Sequence, residues 1–541
     1  MRQAGDGRRV QDRVLMAKIR RNAESDYGRE FGFRSIAGYD DFKRALPIQH
    51  YEDVQPYIER VKRGESTAMF SPSDKVLMFA LTSGTTAEPK FIPVTKSFFE
   101  EYRSGWNAFG VKALLDHEGS FLRPILQVVS PKDAFHTEAG IPCGAITGLM
   151  ADMQKALVRK YYVCPRDICY IENTTARYYA CMRLGVPTNV SFLITASPAT
   201  QLGLAKTVHQ HADLLIRDIH DGTLTAEFEI APAIRQTIQP KLSRRPDAAK
   251  RLERLVDEKG GLYPKDYWEL GFLANWTGGS MGLYLREFDT YFGSTPIRDI
   301  GLLASEGRMS IPISDEQPAG VLEVTSNFYE FVPAEQWGDP SPDTLRSHEL
   351  EVGREYFILL TTSSGLYRYD IGDQIRVVDF YHDTPLIEFL NKGEHVSSMA
   401  GEKVTENQVV LAFGQACKRN GCRIDTFVMA PAWGDPPHYV LHLENRDAGG
   451  ERALSPLSEA FDGELSKVNI EYASKRKSGR LGRIQLNLLD RGVLTQMDRE
   501  LRQQRRATKE QFKHRFLYTQ PDAMADFLNG SSPLDPVAGQ S

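Results

Sequence analysis

Short apolar runs bounded by turn residues alternate along this chain with longer segments in which apolar side chains recur every three or four positions. The first pattern predicts buried strands and the second amphipathic helices. Val76 to Leu81 is long enough for a buried strand and too short for a typical helix. It breaks into Thr82-Ser83-Gly84-Thr85-Thr86, then Lys90, and a second β-like run follows from Phe91 to Val94. From Lys96 to Leu115 the spacing is helical, with Phe98, Phe99, Tyr102, Trp106 and Phe109 on one apolar stripe. Pro124 to Ser130 and Val190 to Thr195 read as further buried strands. Ser197-Pro198 then offers a serine N-cap with proline at the first helical position, opening a helix predicted to about Ile216. Phe272 to Trp276 is strand-like and runs through Thr277-Gly278-Gly279-Ser280-Met281-Gly282 into a helix predicted to about Phe292. Such alternation argues for an α/β layer rather than segregated halves. Ahead of it, residues 11 to 60 predict short helices and turns punctuated by Pro47 and Pro56.

The pattern changes further on. Val321 to Val324 and Asn327 to Phe331 precede a region, from Tyr356, that reads as consecutive short antiparallel strands: YFILLTT, a turn at Ser363-Ser364-Gly365, LYRYDIGD and QIRVVDF. A composition shift at Asn391 to His395 predicts a hinge. It divides the chain into a large domain over 1–392, a smaller α+β domain over 393–528 and a flexible tail over 529–541. In the small domain a helix is expected to end at Asn420-Gly421, with strands at Ile424 to Met429 and Tyr439 to His442 and an amphipathic helix near 452–468.

Composition narrows the function classes. At 541 residues the chain exceeds one domain, and 41% hydrophobic with 25% charged residues is ordinary for a globular protein. A net charge of −5 gives no global pull toward nucleic acid or anionic membrane. The charged N-terminus has no apolar stretch behind it, and no window approaches a membrane span. None of the six cysteines forms a C-x-x-C pair, so free thiols in a reducing cytoplasm are expected. A cytoplasmic protein without nucleic-acid or membrane partners is expected.

Several stretches carry candidate chemistry. The loop from Thr82 to Lys90 reads either as a phosphate cradle, with backbone N–H groups, hydroxyls and an ammonium, or as an ordinary polar hairpin. Arg103, on the helix behind it, could meet a carboxylate. Glu306, after Ser305, could hold Mg²⁺; Asp373, after Gly372, could accept both hydroxyls of a ribose or simply cap a turn. His209-Gln210-His211-Ala212-Asp213 superficially matches a zinc-hydrolase motif but sits inside a helical pattern, where a structural role is expected. Gly278 to Gly282 spells G-x-S-x-G in strand–turn–helix context, the arrangement of a hydrolase nucleophile elbow at Ser280. Lys475 to Arg483 and Arg499 to Arg506 read as basic solvated faces.

Taken together, LTSGTTAEPK resembles the phosphate loop of adenylate-forming enzymes, with Ala87 in place of their usual glycine. LLASEG (Leu302 to Gly307) resembles the second motif of that superfamily, GLYRYDIGDQIRV (Gly365 to Val377) the third, and GEKVTENQ the start of its C-terminal domain. With FYEFVP (Phe328 to Pro333), the set is similar to the Gretchen-Hagen-type, auxin-responsive acyl acid amido synthetases from about Tyr39 to Leu517. The resemblance implies an α/β fold: a large adenylate-forming domain with mixed sheets, helices and an antiparallel barrel-like part, and a mobile α+β C-terminal domain. It implies adenylation of a small carboxylic acid by Mg·ATP, then acyl transfer to an amine, typically of an amino acid. Ser83, Gly84, Thr85, Thr86 and Lys90 would hold the β- and γ-phosphates, Glu306 beside Ser305 the Mg²⁺, and Asp373 the ribose, with Phe328 or Tyr329 stacked near adenine. Lys403 and Lys513 would approach the phosphates as the small domain closes; the family has a proline where this chain has His514. Arg103, Trp106, Phe109 and Met281 would wall the acid pocket, which the G-x-S-x-G segment lines without a catalytic duty for Ser280. A thiol acceptor such as coenzyme A, and a serine hydrolase using Ser280, are the alternatives.

Overall fold

The computed structural model describes residues 5–82, 90–278, 281–393, 396–397, 399–400, 402–445, 451–504, 514–520 and 523–528. An α/β architecture follows, among the described residues, from three sheets in the large part of the chain, a two-stranded sheet of Val396–Ser397 and Val404–Thr405 beyond it, and a three-stranded sheet in a separate C-terminal domain. The α/β layer is a parallel sheet of Ile125–Gln127, Phe192–Ile194, Phe272–Asn275 and Ile297–Asp299, in that spatial order. Because side chains alternate across a strand, its two faces build two cores. Leu126, Leu193 and Leu273 pack on one side with Tyr178, Leu204 and Leu215. Phe192, Ile194, Phe272 and Ala274 pack on the other, against Phe109 and Ala113 of the helix Lys96–Asp116. The helix predicted from Pro198 to about Ile216 is two helices, Pro198–Gln210 and Ala212–Asp221, with the Ser197 hydroxyl capping the first. They meet at His211, whose ring lies edge-on to Tyr179 and Phe228. His209 and His211 are therefore packing residues, and among the described residues no group of three His, Cys, Asp or Glu side chains could hold a metal.

Beside this layer, Val76–Thr82 pairs antiparallel with Lys90–Thr95, Thr82 lying opposite Lys90. A six-stranded antiparallel sheet completes the large part, ordered Phe328–Pro333, Glu355–Thr361, Tyr369–Tyr381, Thr384–Lys392, Gly320–Leu322 and Ser310–Ile311. LYRYDIGD and QIRVVDF are one strand, not two: Gly372, at φ +73°, and a register shift after Gln374 bend it without breaking it. The helix Gly7–Arg21 covers this sheet, and its Gln11 side chain bonds the backbone of Val324, Asn327 and Tyr329.

Thr384–Lys392 ends at Gly393, where an added Cβ would stand 2.4 Å from Trp337 and 2.8 Å from Phe357. In the C-terminal domain, Phe427–Ala432, His438–Glu444 and Gln485–Leu489 pack on the helices Glu406–Arg419 and Glu451–Val468 through stacked Phe413 and Phe427, with Phe461 edge-on to both. Arg476, from a predicted solvated face, is half-buried and forks onto Asp462. Among the described residues no helix is long and apolar enough to cross a membrane.

Candidate active site

Three sheets deliver four charges to one place. Ala304 and Gly307 exchange backbone hydrogen bonds of 2.8 and 3.3 Å, closing a tight turn that turns Glu306 inward, where it is 6% exposed, with Ser305 half-buried beside it. Asp373 and Lys392 face each other on paired strands, so the Lys392 Nζ lies 2.7 Å from Asp373 and 2.9 Å from the Ile371 carbonyl. Lys90 opens the second hairpin strand, its Nζ 5.4 Å from the Tyr51 ring centre. Burial raises the pKa of Glu306; Lys392 and Lys90 pull it down and Asp373 pushes it up. The same carboxylate acts on Tyr51, whose pKa is pushed up to about 12 mainly by burial, and on Tyr369 and Tyr102. Two buried carboxylates beside two ammoniums suit a Mg²⁺–polyphosphate. Such an ion takes one or two protein carboxylates and draws its other ligands from phosphate and water, which a three-residue metal cage would not allow.

The walls of this region are fixed from below. Lys18, buried on the N-terminal helix, donates to Glu101 at 2.8 Å and to the Ser363 hydroxyl at 2.9 Å, and Thr95 donates to the Ser363 carbonyl at 3.0 Å. The helix Lys96–Asp116 is thereby tied to the turn leading into the Asp373 strand. On that helix Trp106 and Phe109 meet edge-on at 5.6 Å, and the half-buried Arg103 lies 5.4 Å from the Phe99 ring. Met281 is buried, its N–H 3.4 Å from the Gly278 carbonyl. Of the four residues expected to wall the acid pocket, Trp106 and Phe109 are thus in contact with each other. Asp299, unremarked in the sequence, organises the neighbouring turn: it accepts from Thr277 N–H and hydroxyl and from Gly301 N–H.

Other predicted residues fall differently. Ser83, Gly84, Thr85, Thr86, Ser280 and Lys513 lie outside the described residues. Phe328 and Tyr329 are core residues, which corrects the expectation that one stacks on adenine. Phe328 packs against Tyr39 and Phe42, and Tyr329 is wholly buried with its hydroxyl donating to the Arg308 carbonyl at 2.8 Å. Their strand is covered on both faces, one cover being the N-terminal helix. Lys403 is exposed on the small domain with φ +46°, a left-handed conformation unusual for a side-chain-bearing residue. Buried Glu402 holds it there by accepting from Met399 N, Ala400 N and the Tyr439 hydroxyl.

Sequence reading missed Lys392 and Arg308. The first is visible only as a cross-strand partner of Asp373; the second stands two residues past Glu306 and had a signal there, a lone arginine in an otherwise uncharged run from Gly307 to Ser314.

Known proteins share this plan. The GH3 family N-terminal domain matches residues 2–297, the GH3 family central domain 320–392 and the GH3 family C-terminal domain 407–522. A jasmonoyl–L-amino acid synthetase of Oryza sativa subsp. japonica is 25% identical over 532 residues, covering 91% of this chain and 89% of its own. An indole-3-acetic acid-amido synthetase of Arabidopsis thaliana is 24% identical over 468 residues, covering 80% and 84%. A solved GH3.15 acyl acid amido synthetase has the same fold, with a TM-score of 0.82 at 21% identity over 96% of this chain and 93% of that one.

Proposed function

We propose that this chain, which belongs to the GH3 family, is an ATP-dependent acyl acid amido synthetase. A carboxylate oxygen of a small acid attacks the α-phosphorus of ATP, the bond to the β-phosphate breaks and pyrophosphate leaves. The amine of a second substrate, an amino acid, then attacks the acyl carbon; the C–N bond forms, AMP leaves and one proton is released.

The observation carrying this reading is the meeting of Lys90, Glu306, Asp373 and Lys392. Lys90, with Ser83, Gly84, Thr85 and Thr86, holds the β- and γ-phosphates, and Asp373 accepts the ribose hydroxyls. Glu306 offers its carboxylate to Mg²⁺, which when bound neutralises phosphate charge. Lys403 and Lys513 add positive charge as the domain beyond the hinge near 393 closes, so closure gates the step that expels pyrophosphate. The enzyme works as a cytoplasmic monomer. A serine hydrolase is disfavoured because the carboxylate beside the G-x-S-x-G turn, Asp299, is spent on Thr277 and Gly301 and orients no histidine.

Carboxylate-dependent ATP–pyrophosphate exchange tests the reading. Lys90→Ala or Asp373→Ala should cut exchange roughly tenfold or more, since a charge-assisted contact is worth about 1.5–3 kcal/mol. Near-wild-type exchange in both variants would remove the nucleotide assignment. Mass spectrometry with amino acids and with coenzyme A distinguishes acceptors; a thioester without amide would overturn the amide product.

A further inference from the structure

The reaction scheme leaves one buried charge unused. Arg308 is 2% exposed, and its guanidinium lies 4.5 Å from the Trp106 ring centre and 5.5 Å from that of Phe109. Nη2 donates to the Ile300 carbonyl, while Nε and Nη1 meet no acceptor among the described residues. The helix makes room for this side chain: at Gly105 an added Cβ would stand 2.6 Å from the Arg308 Cδ. An arginine guanidinium is a cation at neutral pH. The carboxylates that act on it through space are bonded elsewhere, Asp299 to Thr277 and Gly301, Glu323 to Thr325 and Ser326.

Other deeply buried arginines of the same chain are partnered. Arg368 takes Glu330, Arg298 takes Asp116 and Asp315, and Arg183 donates from Nε and Nη2 to the carbonyls of Thr223 and Asp218. A buried guanidinium kept only for packing would be costly without such a partner. Arg308 is therefore a cation held ready beside the predicted acid pocket. The guanidinium lies against Trp106 and Phe109, the rings expected to wall the acid pocket, whereas Lys392 and Asp373 pair on their strands in the proposed phosphate-facing cluster.

We propose that Arg308 selects the acid: it receives a second carboxylate at the distal end of the substrate, which makes the preferred acyl donor a short dicarboxylic acid. This rests on the amido synthetase reading. The acid's reacting carboxylate faces the nucleotide cluster, the partly exposed Trp106 ring turns aside, and the second carboxylate accepts from Nε and Nη1 as a forked, charge-assisted pair.

The test is exchange kinetics of the full chain with matched acids, butanoate against succinate and pentanoate against glutarate. Wild type should prefer the dicarboxylate at least tenfold in kcat/KM. Arg308→Met should bring the dicarboxylate down to the monocarboxylate level, about thirtyfold and chiefly through KM, and Arg308→Lys should restore part of the preference. A wild-type preference for monocarboxylates, which requires no variant to fold, would overturn the proposal. So would an equal loss for both acids in Arg308→Met at unchanged thermal midpoint, because that places the arginine at the reacting carboxylate. If ATP raises the thermal midpoint but no acid supports exchange, the synthetase reading itself fails and takes this inference with it.

Discussion

Lys392→Met removes an ammonium that stands 2.7 Å from Asp373 and helps keep Glu306 ionised. Two buried carboxylates would then face each other with Lys90 as the remaining cation acting on Glu306. A charge-assisted contact of this kind is worth about 1.5–3 kcal/mol, so the exchange reaction should fall by roughly tenfold to a hundredfold. The pH dependence is more telling than the rate. In the proposed role Glu306 works as the carboxylate, and burial already raises its pKa; activity should therefore be lost as pH falls through that raised value. Without Lys392 the value rises further, and the acid limb of the pH–rate profile must move to higher pH. Lys392→Arg, which keeps the charge, should leave the limb nearer its original place. Stability runs the other way: with its folded pKa raised, Glu306 contributes stability below its unfolded pKa and loses it as pH rises through the folded value. Activity lost on acidification thus cannot be the unfolding of this group. Profiles of pyrophosphate exchange for wild type and both variants, with unfolding midpoints at each pH, settle the matter. An acid limb that stays put or moves down in folded Lys392→Met would refute the electrostatic account of the cluster.

Arg368→Met leaves Glu330 charged and buried, because the guanidinium now bonds both its oxygens, the carbonyls of Lys43 and Leu46, and Thr344. The expected cost is about 3–5 kcal/mol, read from the guanidinium chloride midpoint of the large-domain transition, and Arg368→Met/Glu330→Leu should recover most of it. His514 faces the Asp498 carboxylate through Nδ1 and the Phe427 carbonyl through Nε2, both at 2.9 Å, so only the imidazolium donates to both. Burial lowers its pKa, but Asp498 and that carbonyl outweigh it and the net shift is upward. Its contribution is full below the unfolded value near 6.5 and lost as pH rises through the folded one. His514→Asn should remove this dependence from amide exchange at Phe427 to Met429; an unchanged pH dependence would sink the assignment.

What the sequence disclosed depended on whether the information was local. The hairpin around Val76 to Val94 and the helix after it could be read from unbroken apolar patterns and a threonine cap, Thr95 accepting from the Phe98 N–H at 3.1 Å. Glu306, Asp373 and Lys90 were legible because each sits in a short segment whose turn chemistry is recognisable. Phe328 and Tyr329 looked available for a base because nothing in their own segment says that a helix three hundred residues earlier seals the strand. The break at His211 was equally hidden, since helical spacing of apolar residues continues through it and only the packing against Tyr179 and Phe228 sets it apart.

Lys392 was illegible, and the signal at Arg308 uninterpretable, for a further reason, which bears on how charged residues in such motifs are interpreted. Arg368 stands in the stretch LYRYDIGD five residues before Asp373, the proposed ribose ligand, and position alone would award it a ligand. Its hydrogen bonds are instead consumed by Glu330, Thr344 and two carbonyls, so it fixes the strand on which Asp373 is carried. Arg308 stands outside any recognised motif position, yet two of its nitrogens have no acceptor among the described residues. A buried cation must be compensated by something, because an unpaired charge in a low-dielectric interior costs more than most single contacts return. Where the protein supplies the partner, the residue is structural and its removal appears in the unfolding midpoint. Where the protein withholds it, the partner has to be brought in, and removal appears in which acid the enzyme accepts.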